Sequence, residues 1–225
     1  MLPSRAAPVS LLRRCAALLR VLLRTSLRTL LLACLCTAPP AIAQQAAADE
    51  AVRLMNELMS GKAAVGGPFT LTDTRGRQRS LAEFRGRPVL LYFGYTSCPD
   101  TCPADLAEIA ALLENLGTRG EVIQPIFITL DPERDTDRVL GDYAAAFHPR
   151  LLALRGSEAQ TRTVARAYKI SYRRVALPGG SGYLLDHSAF TFLLDRKGRY
   201  LAFFPPGTPA QRMAVMMDGV LGKSP

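Results

Sequence analysis

Tryptophan is absent from this 225-residue sequence, and histidine occurs only twice, at His148 and His187. A site built from three or more imidazoles is therefore excluded. Cysteine is sparse as well. Of five, Cys15, Cys34 and Cys36 lie in the first 43 residues, which leaves Cys98 and Cys102 as the only pair in the remainder. That excludes a disulfide framework of the kind that staples small secreted domains. No acidic residue precedes Asp49, and the apolar run from Thr29 to Ala43 is too short and too broken by proline for a comfortable membrane span, which needs about 20 residues.

The formal net charge of +9 would suit a nucleic-acid partner, but its distribution argues against one. Arg5, Arg13, Arg14, Arg20, Arg24 and Arg28 all fall in the first 28 residues. Taking these six from the 28 basic residues leaves 22 against 19 acids, a net of +3 beyond residue 43. The basic excess belongs to the leader. An arginine-rich start, a short apolar run and the small residues Ala41 and Ala43 before Gln44 are the marks of an export signal, so residues 1–43 are expected to be an export signal or a membrane anchor. "LLAC", ending at Cys34, also resembles a lipoprotein cleavage box. Arg20, Arg24 and Arg28 on one helical face would suit a mitochondrial transit peptide. Each reading places the body outside the cytosol: periplasmic or on the outer face of the inner membrane, or facing the mitochondrial intermembrane space.

Residues 44–62 read as a tether and a short amphipathic helix, with Val52, Met55, Leu58 and Met59 at helical spacing and Gly61 at its end. From residue 63 to 225 the pattern is that of an α/β domain. Phe69 and Leu71 alternate with threonines before "TRGR", which predicts a hairpin. "PVLLYFGY" is a continuous apolar run suited to a strand buried on both faces. "ADLAEIAALLENLG" predicts a helix closed by Gly117. "VIQPIFITLD" predicts a second buried strand, and "DTDRVLGDYAAAF" a helix capped by Asp135 or Thr136. A short strand "LLAL" follows, then a helix opened by Ser157. A hairpin turning at Arg196–Gly198 comes next, and a last helix with Thr208 as its cap and Pro209 in its first position. "LPGGSGY", before His187, reads as a glycine-rich loop that leads to a strand.

"SCPDTCP" sits directly after the strongest strand and before a helix, the edge at which ligands of such sheets gather. A thiol there feels the positive end of the helix, which favours the thiolate, and Cys98, nearer the strand end, is expected to be the more exposed sulfur. Thiolates serve disulfide exchange and bind soft metals alike. On the motif alone three readings stay open: a structural disulfide, a redox-active dithiol pair, or two ligands of a metal. A metal site needs a third ligand. His148, in "AFHPRL", reads as a helix-end histidine. His187, in "DHSAF", lies where a late loop returns to the cysteine edge, with Asp186 beside it to orient the ring. Cys98, Cys102 and His187 together would make an S₂N set suited to cuprous copper or, with another ligand, to zinc.

"YFGYTSCPDTCPADL", "FITLDPERDT" and "DHSAFTFLLDRKGRYL", in that order and spacing, resemble the Sco/SenC family of thioredoxin-like copper proteins of cytochrome c oxidase assembly. The likeness covers about residues 63–222. It implies a thioredoxin-like fold, a central mixed β-sheet flanked by helices with an N-terminal β-hairpin extension. It implies a single copper ion, as Cu⁺ or Cu²⁺, on Cys98, Cys102 and His187, and redox activity at Cys98 and Cys102. The implied role is to deliver copper to, or reduce the cysteines of, the binuclear copper centre in cytochrome c oxidase subunit II, with another copper chaperone as a possible donor and membrane association through the N-terminus. The alternative is an exported thiol–disulfide oxidoreductase that uses the same cysteines without copper. Asp131 is expected on the cysteine edge of the sheet. There it makes a turn with Pro132, or joins Glu133 and Arg134 in a docking surface or the copper's outer surroundings. Tyr95 is placed to shield the metal. Tyr92, Phe93, Phe190 and Phe192 are expected in the core.

Overall fold

The structure, a computed structural model, describes residues 52, 53, 56, 57, 64–180 and 182–222. The leader lies outside this set, as does most of the expected tether and helix at 44–62, of which only the four residues named are described, all of them helical.

A hairpin opens the fold, β1 (Thr70–Asp73) and β2 (Gln78–Ser80), and a 3₁₀ turn leads to β3 (Val89–Gly94). The apolar run of β3 is buried at all six positions, as its composition requires. Then come α1 (Thr101–Asn115), β4 (Gln124–Thr129), α2 (Asp137–Phe147), β5 (Leu152–Arg155) and α3 (Glu158–Ala167). A second hairpin, β6 (Tyr172–Ala176) and β7 (Tyr183–His187), precedes a third, β8 (Thr191–Leu194) and β9 (Tyr200–Phe204), and α4 (Ala210–Leu221) ends the fold. Seven strands form one mixed sheet in the order β2-β1-β5-β4-β3-β8-β9, with β3, β4 and β5 parallel. β8 runs antiparallel along the other side of β3, pairing Leu91 with Phe192. This is the thioredoxin-like mixed sheet expected of the sequence. Phe93, Tyr168 and Phe192 meet with ring centroids 5.5–6.2 Å apart and anchor its core.

Four local expectations are corrected. The glycine-rich stretch does lead into a strand, but that strand, β7, pairs with β6 in a two-stranded sheet of its own, and His187 ends it rather than opening the next strand. The signal was weak because four of the five β6 side chains are exposed, so no apolar alternation marks the strand. α1 begins at Thr101, three residues before the apolar pattern does. Gly117 turns the chain at φ +53 but leads into a 3₁₀ segment, Gly117–Val122. Thr208 does not cap α4, because its hydroxyl donates back to Pro205 O at 2.6 Å. The cap comes from α1 instead: Glu108 accepts from Ala210 N at 2.7 Å, and Asp105 accepts from Gly207 N at 2.7 Å.

Two hairpins share one turn. "DTRGR" and "DRKGR" each place an aspartate four residues before an arginine, with glycine at left-handed φ (+76 and +78) between them. Asp73 accepts from the N–H groups of Arg75 and Arg77 and from the Arg77 side chain, and Asp195 does the same with Lys197 and Arg199. Burial pushes the Asp73 carboxyl up. The Arg77 N–H and guanidinium and the Arg75 N–H outweigh it and hold the pKa below its ordinary 3.8. A depressed folded-state pKa stabilises fully above the ordinary value and is lost as the pH falls through the folded one. Asp73→Asn should therefore lower the unfolding free energy at neutral pH by about 1–3 kcal/mol. In urea titrations the gap from wild type should shrink below pH 3.8. An unchanged gap there would show that the charge is not what stabilises the turn.

Candidate metal centre

Past Gly94 the chain leaves the sheet, and Cys98 N–H donates to Tyr95 O at 3.3 Å to close a turn. Cys102 stands in the first turn of α1, where its N–H points at Cys98 Sγ, 3.4 Å away. Pro103 follows at a position where an amide hydrogen would have no intrahelical acceptor. Cys98 is half-buried and Cys102 fully buried, the order expected. The sequence reading misses Gly94. A Cβ there would lie 2.8 Å from Cys102 Sγ and 3.0 Å from Tyr92 Cε1, so only glycine lets the sulfur pack under the strand end. Its visible signal is a glycine interrupting an otherwise unbroken apolar strand.

His187 brings its Nε2 to 3.4 Å from Cys102 Sγ, and the two sulfurs and this nitrogen all lie within 4.8 Å of one another. Its Nδ1 is 3.1 Å from Ser188 O, which can only accept, so Nδ1 carries the hydrogen and Nε2 offers its lone pair to the sulfurs. Tyr95, fully buried, stands edge-on to the imidazole at 5.7 Å. Asp186 does not orient the ring. Neighbouring side chains on a strand point to opposite faces, and Asp186 turns outward to Arg173 at 2.6 Å. His148 is far from the pair in the fold. It caps the end of α2 and accepts from Arg150 N at 3.1 Å.

The loop after β4 holds both halves of the site. Asp135, fully buried, does not cap α2, because Thr136 does so through Val139 N. Its carboxylate accepts from Thr96 N at 3.1 Å, Thr96 Oγ1 at 2.6 Å and the Thr129 hydroxyl, tying the cysteine loop to β4. Asp131 accepts from the Tyr183 hydroxyl at 2.9 Å and pairs with Arg134, and Arg134 donates to Tyr183 O at 2.8 Å. The guanidiniums of Arg134 and Arg174 lie 3.8 and 4.5 Å from the Tyr183 ring centroid, and Arg174 pairs with Glu133. "DPER" is thus a latch on the hairpin that carries His187.

The two sulfurs divide one proton unequally. The hydrogen bond from Cys102, with the N–H groups of Asp100 and Cys102, outweighs burial and pulls Cys98 down to about 3. The same bond and burial push Cys102 up. Cys98 is the thiolate and Cys102 the thiol. Two soft sulfurs and one neutral imidazole are donors that cuprous copper favours. Metal bonds of about 2.0–2.3 Å, as in zinc sites, would space three trigonal donors roughly 3.5–4 Å apart, so the set needs only slight contraction. A cleft of about 480 Å³ opens onto Cys98 between the cysteine loop and the hairpin, with Tyr95, Pro99, Val175, Leu184 and Leu185 among its walls.

Two outcomes follow for the metal-free, reduced chain. Iodoacetamide should modify Cys98 and spare Cys102, at a rate nearly flat above pH 5, because Cys98, with its pKa near 3, is already ionised there. A rate climbing steadily toward pH 9 would mean an ordinary thiol. Arg134→Ala should speed amide exchange in residues 172–187 by about ten- to a hundredfold, the loss of a charge-assisted bond, while β3 and β4 stay protected. Uniform acceleration would instead mean a global loss of stability.

The sequence model of the SCO1/SenC family matches residues 57–222. An SCO2-like protein of Rickettsia prowazekii is 43% identical over 144 residues, 64% of this chain and 70% of its own length. The structure of Bradyrhizobium japonicum ScoI with copper bound superposes with a TM-score of 0.64 at 36% identity, over 70% of this chain and 99% of that one. Yeast Sco1 with copper bound gives 0.65 at 30% identity, over 72% and 91%. With the fold, the cysteine pair and the distant histidine all in place, the chain belongs to the SCO1/SenC family.

Proposed function

We propose that this chain is an exported copper carrier of cytochrome c oxidase assembly. Cys98, Cys102 and His187 hold one copper ion as cargo for the binuclear copper centre of oxidase subunit II. The observation that carries this reading is the third ligand. His187 comes from a separate hairpin and turns its lone pair toward the two sulfurs, a placement that dithiol exchange does not need. The copper-bound relatives support the metal, and the likeness to a member of the Sco family of cytochrome c oxidase assembly proteins supports the pathway. Each protein group has a part. Cys98 faces the cleft and is the sulfur an acceptor thiol meets first. Cys102 is held under Gly94 and stays with the core. His187 rides on a hairpin that is not hydrogen-bonded into the main sheet, so it can withdraw while the sheet stays intact.

A second reading, reduction of the acceptor's cysteines, is favoured by the split between the sulfurs. The Cys98 thiolate would attack one sulfur of the partner's disulfide, breaking that S–S bond and leaving the other sulfur as a thiolate. Cys102, giving up its proton, would then attack Cys98 and release the partner's remaining sulfur. The partner gains two electrons and the chain is left with a Cys98–Cys102 disulfide.

Anaerobic titration of the reduced chain with Cu⁺ against a competing chelator separates the two. About one copper per chain should bind, and His187→Ala should weaken it by at least tenfold, since even indirect disturbance of a metal ligand changes affinity about 10- to 100-fold. Undiminished affinity in His187→Ala would remove the three-ligand site. Rapid turnover of insulin disulfides with a thiol donor would favour the oxidoreductase.

A further inference from the structure

The end of the sheet opposite Cys98 carries a second concave site. A cavity of about 440 Å³ opens there, with Gln124 and Leu152, the first residues of β4 and β5, in its wall. Five arginines line it, Arg75, Arg77, Arg79, Arg87 and Arg150, with Asp73 as the only acid among the described residues. Asp73 is shared between Arg77 at 2.9 Å and Arg79 at 3.4 Å, and Glu83 takes up Arg79 from outside at 2.7 Å. Five guanidiniums against those two carboxylates leave +3, as much as the net charge of the whole chain beyond residue 43. An ordinary solvated surface spreads like charges apart. Here they converge on one concavity, where low-dielectric walls focus their field.

The arginines also divide by role. Arg77 is held by Asp73, and Arg150 donates to the carbonyls of Gly120, Glu121 and Ile123 at 3.0–3.1 Å. These are fixed walls. Arg75 and Arg87 are exposed, and among the described residues their guanidiniums have no ion pair. They are free to fork onto a ligand. Paired guanidiniums match the oxygens of phosphate better than those of a lone halide, and the volume exceeds that of a single small ion.

We infer that this cavity binds a phosphate-bearing anion, gripped by Arg75 and Arg87 and seated against Arg77, Arg79 and Arg150. The phosphate belongs either to a soluble polyphosphate or to a phospholipid headgroup. The site lies at the far end of the sheet from the cysteines, and nothing in its argument depends on copper.

The test uses the full, copper-free chain and two charge-matched double variants. Arg75→Gln/Arg87→Gln empties the grip. Arg166→Gln/Arg212→Gln removes the same charge from exposed helical positions elsewhere. Inorganic pyrophosphate is titrated by calorimetry at about 0.1 M salt, and binding to phosphatidylglycerol vesicles is measured alongside. At least one probe should bind wild type, and lose about tenfold or more in affinity in the first variant while the second stays within about twofold. Pyrophosphate alone behaving so identifies a soluble ligand; vesicles behaving so identify a headgroup. Both variants should melt with wild type, since neither replaces a paired side chain. The inference is overturned if neither probe binds, or if neither separates the two variants.

Discussion

Strands β3 and β4 pair in parallel from Val89↔Gln124 to Gly94↔Thr129, so two loops leave the same edge of the sheet side by side. One carries Cys98 and the other carries Asp131, Arg134 and Asp135. The contacts that tie the two halves of the site together use that adjacency. Asp135 reaches sideways to Thr96 and holds the cysteine loop. Asp131 and Arg134 reach forward to Tyr183 and hold the hairpin bearing His187. Two ligands four residues apart and a third far along the chain meet because one loop grips both.

Residue patterns that report burial were legible in the sequence, and those that report a partner were not. The runs of β3 and β4 announce strands because full burial demands apolar side chains, and the two Asp-turn hairpins announce themselves by glycine at a fixed offset. Cys98, Cys102 and His187 were legible because their chemistry is rare in this chain. Asp135 and Thr136 both read as caps because either residue type just before a helix usually is one, and nothing local reveals that Thr136 takes the role while a threonine 39 residues upstream needs the Asp135 oxygens. Asp186 was assigned to its neighbour by proximity in sequence, which in a strand means opposite faces. Thr208 and α4 repeat the point: the helix end is capped by Glu108, from an element that sequence distance conceals.

The fold keeps two kinds of polarity at opposite ends of one sheet. At the edge beyond Gly94 the carboxylates of Asp131 and Asp135 are buried and hydrogen-bonded, and they fix positions to within a hydrogen bond. At the other end the arginines are numerous, and two of them have no ion pair among the described residues. The same Asp–x–x–Gly–Arg turn that closes β1–β2 supplies both a structural carboxylate and the guanidiniums around it.

The latch over Tyr183 has a thermal consequence. Of the ten residues in β6 and β7 only Leu185 is buried, and the latch itself is made of guanidiniums, carboxylates and one phenol. Opening it exposes little apolar surface, so its heat-capacity change is small. The core around Phe93, Tyr168 and Phe192 carries a large one. The stability of the core therefore curves with temperature while that of the latch stays nearly flat, and ionic strength acts on the latch through the exposed Arg174–Glu133 pair more than through the more buried Asp131–Arg134 pair.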